Sequence, residues 1–357
     1  MFNRILVPLD GSLLAEGVII HAAQFARIFG GRITLLQILD PAPYQEGQHA
    51  VEPLDWQILK AQAEMYLQAV AAQLERMGIS TTYALREGNA PENIVSFAQS
   101  EGFELVVLNS HGASGLSRWN ISSVVSKVLD KIYLPVLLVR AYHGATEAGG
   151  PAERGQTTEA ASSSEYTANP GTSAARMTMS TAAHLPFLYR RILLPIDSSR
   201  RAECALPAAT NLAMAQDGES TTVVIMGAVI APPNLPLPMP YPEEVHQLIE
   251  RFMQITRTAV ENYLYEMRQR IPGACEIRIV EQNNVVAGLH DLAEKENADL
   301  VILCAHGQTG GTSYPYGSIT RNYLEYGTKN VLVIQDVPLS QVRPSAAEVA
   351  AERYGKR

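Results

Sequence analysis

The sequence predicts an α/β protein built as two doubly wound, five-stranded parallel-sheet domains in tandem. Three observations carry that expectation. Arg4–Ser12 reads RILVPLDGS and Arg191–Ser199 reads RILLPIDSS, a near-identical nonapeptide at an offset of 187 residues, and a long-period repeat takes precedence over other signals. Apolar runs of strand length alternate with amphipathic helical stretches, the pattern of a parallel sheet with crossover helices. Two apolar runs also end in glycine-bearing loops of one layout, LVVLNSHGASGLSRWNISS over Leu105–Ser123 and LVILCAHGQTGGTSYPYGS over Leu300–Ser318.

Each copy opens on an apolar strand broken by Pro and ended by Asp. The helix after it places Ala15, Val18, Ile19, Ala22, Ala23 and Ala26 on one face before Gly30-Gly31; in the second copy Ala205, Ala208, Ala209, Leu212 and Ala213 keep the same spacing. Ile33–Leu39 and Thr222–Ile230 read as interior strands, followed by proline-bearing loops from Asp40 and Ala231. Long amphipathic helices span about Asp55–Met77 and about Glu243–Ile271, and short strands follow near Thr81–Leu85 and Glu276–Val280. Third helices carry Ile94, Phe97 and Ala98, and Leu289, Leu292 and Ala293. Fourth strands at Glu104–Leu108 and Asp299–Leu303 lead into the glycine loops, and fifth strands at Pro135–Arg140 and Asn330–Asp336 close the units. His111 and His306 lie 195 apart; the extra length fits the longer proline-rich loop of the second copy.

These elements divide the chain into a first domain at 1–142, a linker at 143–185, a second domain at 186–337 and a tail at 338–357. The linker is rich in Ala, Gly, Ser and Thr without hydrophobic period and is expected to be disordered. At 357 residues two cores are the default. A net charge of -8 argues against unspecific nucleic-acid binding. Cys204, Cys275 and Cys304 form no CxxC and no metal-ligand spacing, which points to reduced thiols. A strand starting near Ile5 leaves no room for a signal peptide, and no apolar run approaches the roughly 18 residues of a membrane span. A cytoplasmic protein without membrane or nucleic-acid partners is expected.

A buried strand running through a glycine-containing loop into a helix start is a ready anion pocket, because loop amides converge and the helix dipole adds positive charge. In a doubly wound sheet the ligand crevice lies at the carboxyl ends of the strands, where strand order reverses. Strands one and four flank that point, which brings Asp10 and Asp197 near the two loops. There is no G-x4-G-K-[ST] and no G-x-G-x-x-G after either first strand. Neither loop holds a lysine, so phosphate charge must be met by amides, the helix dipole and Mg²⁺.

Order and loops together resemble the universal stress protein family, here as a tandem. Its nucleotide-binding members carry G-x2-G-x9-G-[ST] after the fourth strand; this sequence has Asn109-x2-Gly112-x9-Ser122-Ser123 and Cys304-x2-Gly307-x9-Gly317-Ser318. The resemblance implies a Rossmann-like, adenine nucleotide alpha hydrolase-like fold. It also implies ATP, or AMP or ADP, held with Mg²⁺ mainly in the second domain. By similarity Pro8, Leu9, Asp10, Pro195, Ile196 and Asp197 line the nucleoside end, with Ile38 and Ala228 opposite from the second strands. Gly317 leaves amides open to phosphate, whereas Ser122 narrows the approach; Arg118 offers compensating charge.

The bland readings stand beside these. Asp10 and Asp197 are also ordinary turn formers. His111, next to Ser110, and His306 shape their loops better than they catalyse, no acid partner being legible for either. Cys304 reads as a small buried strand-end residue. No catalytic residue is assigned, and at most slow hydrolysis is expected. The alternative function is a non-catalytic interaction scaffold with degenerate nucleotide sites. The family dimerises through its fifth strands, so Val136–Val139 and Val331–Ile334 are expected to pair within one chain, a homodimer being the other possibility.

Overall fold

The computed structural model describes residues 1–41, 53–111, 121–140, 188–215, 221–236, 240–308 and 314–338. The expected linker, Gly112, Arg118 and nearly all of the tail lie outside them. In the first unit β1 (Arg4–Leu9), α1 (Leu13–Phe29), β2 (Arg32–Leu39), α2 (Pro53–Arg76), β3 (Thr81–Glu87), α3 (Ala90–Ser100), β4 (Leu105–Asn109), α4 (Ser123–Leu129) and β5 (Val136–Val139) alternate among the described residues. The second repeats the order with β6 (Arg191–Pro195), α5 (Leu206–Met214), β7 (Val223–Ile230), α6 (Glu243–Arg268), β8 (Ala274–Glu281), α7 (Val285–Lys295), β9 (Leu300–Cys304), α8 (Ser318–Tyr326) and β10 (Asn330–Ile334).

Each unit is the doubly wound α/β fold, and all ten strands lie in one sheet ordered β3-β2-β1-β4-β5-β10-β9-β6-β7-β8. Strand order reverses between β1 and β4 and again between β6 and β9, so the crevices sit where the Asp-ended strands meet the loop-bearing ones. Within each unit pairing is parallel. β5 and β10 meet antiparallel, with Val136 opposite Val333 and Leu138 opposite Val331. Both strands are fully buried, as continuous apolar runs must be when helices cover both faces.

Two cores line the two faces. One holds Leu9, Val18, Leu35, Leu67, Ile196 and Leu332; the other holds Leu6, Leu36, Ile94, Val106, Leu303 and Val333. Neighbouring strand residues divide between the two, the period-two rule of a sheet covered on both sides. The small residues of α1 and α5 are buried against the first core, which brings those helices close to the strands. The third strands run longer than expected from their polarity. β3 extends to Glu87 and β8 from Ala274 to Glu281, because each is zipped residue by residue to a complete interior strand. Their outward side chains are polar since they form the two outer edges.

The units also touch through side chains. His21 of α1 bonds the Tyr189 hydroxyl at 2.6 Å, and burial drops the His21 pKa to about 4. Arg140, just past β5, is buried and donates to the carbonyls of Tyr323 (3.2 Å) and Leu324 (2.7 Å) in the last turn of α8. A cation there satisfies carbonyls that a helix end leaves without partners. Desolvation lowers its pKa to about 10, still cationic at neutral pH. Arg321 of α8 reaches Asp130 (2.9 Å) and Ser126 of α4 (3.2 Å). No helix among the described residues is long and apolar enough to cross a membrane.

Candidate functional site

In both units the Asp that ends the first strand folds back on its own turn. The Ser12 amide donates to Asp10 Oδ1 at 2.9 Å and the Ser199 amide to Asp197 Oδ1 at 3.0 Å. The residue between them takes the left-handed conformation, φ 79° at Gly11 and 61° at Ser198. Gly accepts that conformation freely and Ser does not, so the second copy holds a mildly strained turn beside its loop.

Asp197 does more than turn the chain. Its Oδ2 accepts the Gln308 amide at 2.8 Å, tying the first strand to the glycine loop. Gly307 is a condition of that tie, since a Cβ there would lie 2.4 Å from Asp197 Oδ2. Gly317 stands under no such constraint. Its φ is -68°, and a Cβ would make ordinary contacts of 3.5 Å or more among the described residues.

Gly317 and Ser122 occupy the same place. The Gly317 amide donates to the Ala305 carbonyl at 2.8 Å, and the Ser122 amide to the Ser110 carbonyl at 2.8 Å. Each is the residue before a helix. Ser122 Oγ accepts the Val125 amide at 3.3 Å, so α4 is capped by its own chain. Gly317 has no side chain to do this, and α8 starts without a side-chain cap. Its first amides stand at the carboxyl end of the sheet with Ser318 exposed beside them. Ser123 is likewise exposed at the start of α4.

His306 fixes the loop. It is almost fully buried; Nδ1 donates to Asp336 Oδ1 at 2.7 Å and Nε2 to the Tyr314 carbonyl at 2.9 Å. A carbonyl and an ionised carboxylate can only accept, so this arrangement favours a ring protonated on both nitrogens, an imidazolium. The Asp336 hydrogen bond raises the His306 pKa, the Tyr314 carbonyl helps, and burial opposes. Burial works to raise the Asp336 carboxyl, but His306 and Arg201, with Nε 3.2 Å from Oδ2, outweigh it and hold the pKa below the usual value. Gln335 completes the anchoring by donating to the Pro315 carbonyl at 3.0 Å. Asp336 is the acid partner that sequence reasoning missed. The signal was present, since the second position past the fifth strand is Asp336 in the second copy and Ala141 in the first, but only the sheet register places it against His306. His111 instead meets Ser110 Oγ through Nδ1 at 2.9 Å.

The remaining expected residues divide. Pro8 and Pro195 are half-buried and Leu9 and Ile196 are buried at the strand ends; the Ile196 amide donates to the Gly227 carbonyl at 2.8 Å. Ile38 and Ala228, expected as equivalent walls, sit on opposite faces: Ala228 packs in the core with Ile196, Ile38 against the other. Leu9 pairs with Gln37, so Gln37 takes the place in the first unit that Ala228 takes in the second, a one-residue slip that turns a side chain to the other side. Gln37 is buried, lies beside Gly11, and its Oε1 has no hydrogen-bond partner among the described residues. Asn109 and Cys304 end their strands as expected, half-buried and buried respectively. Cys304 Sγ lies 2.9 Å from Cys204 Sγ, a neighbour 100 residues away that the sequence did not bring to it. Among the described residues no three His, Cys, Asp or Glu side chains gather to hold a metal.

A model of the universal stress protein family matches residues 1–140 and again 188–335. A universal stress protein of Methanocaldococcus jannaschii is 27% identical over 144 residues, covering 39% of this chain and 83% of its own length. A second from the same organism is 25% identical over 155 residues, covering 39% and 96%. The crystal structure of a universal stress protein from Archaeoglobus fulgidus, 16% identical, covers 94% of this chain and 100% of its own with a TM-score of 0.56, which speaks to the shared fold alone.

Proposed function

The chain belongs to the universal stress protein family, with two copies of the family unit in tandem, and from that premise we propose that its second unit binds ATP, or the related AMP or ADP, in a stress-response or signalling role. One observation carries the reading. The packing of the described residues does not require glycine at position 317, yet glycine there leaves the start of α8 without a side-chain cap. A phosphate group is the ligand that such a helix start accepts. Ser318 offers a hydroxyl to it, and Pro195, Ile196 and Ala228 form the apolar end for a base. Cys304 and His306 belong to the wall as residues that shape the loop. Mg²⁺ comes with the phosphates, a hard cation that keeps several of its waters. No group in the crevice has the role of a catalytic base in this reading, and occupancy itself is the signal.

The first unit is the weaker site. Ser122 caps the start of α4, where Gly317 leaves the start of α8 open, so Pro8, Leu9, Asp10, Asn109 and Ser123 surround a narrower approach. The unpartnered Gln37 Oε1 supports a residual base-binding function there, because it can accept from an exocyclic amino group.

The proposed organisation is a first unit at 1–142 and a second at 186–337, mated through β5 and β10 within one chain in place of a homodimer. The outer edges support it: β3 carries Arg86 and Glu87 and β8 carries Glu276, Arg278 and Glu281, charges that discourage edge-to-edge association.

The rival reading is a scaffold without ligand, favoured by Gly307, which Asp197 already explains. The test is to denature freshly purified protein and identify released nucleotide by chromatography, with Gly317→Val alongside. Adenine nucleotide from the wild type that is missing from the variant is expected. An empty wild type that also fails to bind added ATP with Mg²⁺ selects the scaffold.

A further inference from the structure

We propose that Cys204 and Cys304 form a reversible disulfide at the root of the second glycine loop. Cys304 is the last residue of β9, and Cys204 lies in the 3-10 turn Ala202–Ala205 that follows β6. The two thiols are free and their sulfurs are 2.9 Å apart, so less than an ångström of movement brings them to the about 2.05 Å of a disulfide bond. One member is reachable: Cys204 is half-buried, whereas Cys304 is buried behind it. The arrangement is that of an attacked thiol with a resolving partner already in place.

The chemistry needs a peroxide as oxidant. The Cys204 sulfur attacks one peroxide oxygen; an S–O bond forms, the O–O bond breaks, and water leaves with the proton, giving a sulfenic acid. The Cys304 sulfur then displaces the hydroxyl, which takes the thiol proton and leaves as a second water. Two electrons pass from the sulfurs to the peroxide, and a dithiol reductant returns them by exchange. The neighbouring Cys304 thiol, with burial second, holds Cys204 protonated well above its ordinary value. Little thiolate is present at neutral pH, so the pair answers sustained rather than fleeting oxidant.

The bond acts on the loop through contacts already in place. The Thr320 hydroxyl of α8 donates to the Cys304 carbonyl at 2.8 Å. Arg201, at the start of the 3-10 turn, pairs with Asp336, which holds His306. Drawing the two sulfurs together shifts the strand end from which the loop and α8 depart. An effect on nucleotide affinity rests on the function proposed above; the bond itself rests on the sulfur geometry alone.

The experiment treats the full chain with hydrogen peroxide, blocks remaining thiols by alkylation, and maps the peptides by mass spectrometry. Expected is a Cys204–Cys304 linked peptide, with Cys275 alkylated as internal control, reversed by dithiothreitol and absent from Cys204→Ser. ATP affinity is expected to change about tenfold on oxidation of the wild type and to stay constant in Cys204→Ser. Separate alkylated or over-oxidised cysteines in the treated wild type overturn the bond. A linked peptide with unchanged ATP affinity overturns the connection to the loop. Failure of the reduced protein to bind ATP at all overturns the binding function instead, and the peptide map still decides the bond.

Discussion

The starts of α4 and α8 hold the same place in their units and hang from the same backbone bond, to the carbonyl of Ser110 in one and of Ala305 in the other. They part at a single side chain. Ser122 turns its hydroxyl onto the helix it begins, and the first unit thereby satisfies an amide that the second leaves to the crevice. The loop ahead of α8 is framed by Asp197 on Gln308, His306 between Asp336 and Tyr314, and Gln335 on Pro315. A site that offers its amides to a ligand must be held by something other than those amides, and here a buried ion pair and a strand-end carboxylate do the holding.

Four substitutions would break or sharpen that contrast. The largest effect belongs to Val333→Pro. Val333 is fully buried and pairs with Val136 on one side and Leu303 on the other; Pro removes a ladder donor from an interior strand, at a cost of about 3 kcal/mol or more. The expected outcome is an expanded or separated molecule in small-angle scattering with an early melting transition. A compact, undisturbed molecule would show that the two units do not depend on this seam.

Next comes Asp336→Asn, which removes the acid of the His306 pair. Breaking a buried pair costs about 3 kcal/mol, and pH gives the signature. His306 has a raised folded pKa, so its contribution is complete below the ordinary histidine value and fades as pH rises through the raised one. Asp336 has a lowered folded pKa, so its contribution is complete above the ordinary carboxylate value and fades as pH falls through the lowered one. The stability gap between wild type and variant should therefore be widest between roughly pH 4 and 6.5 and narrow on either side. Urea melts across that range check it, and a gap that grows towards alkaline pH would refute the imidazolium.

The smallest effects come from exchanging the two caps. Gly317→Ser should stabilise the unliganded protein by a few tenths of a kcal/mol while weakening ATP binding about tenfold, a coupling of about 1.4 kcal/mol. Ser122→Gly should lose a similar few tenths. Denaturant titrations paired with calorimetric binding read both, and a tighter-binding Gly317→Ser would reverse the assignment of ligand to the open helix end.

Much of this was legible in the sequence because the repeat states each element twice. The P-x-D strand ends and the fifth strands were found at their places, since apolar runs and their spacing encode burial directly, whereas 112–120 and 309–313 of the two loops lie outside the described residues. Three things were not legible. Asp336 and His306 are 30 residues apart and meet only through the β9–β10 register. Cys204, in the 3-10 turn after β6, and Cys304, at the end of β9, are 100 residues apart and meet only in the folded chain. Ile38 was matched to Ala228 because counting along the chain cannot see a one-residue difference in strand pairing, which the sheet shows at Gln37. Long-range register is the common element, and periodicity is blind to it.

The antiparallel seam of β5 and β10 joins two halves that share one polypeptide. In a symmetric pair of identical chains every substitution is made twice, and a change that closes one pocket closes both. Here the mated strands can stay as they are while each half drifts alone, so a serine could settle at one helix start without forfeiting the glycine at the other.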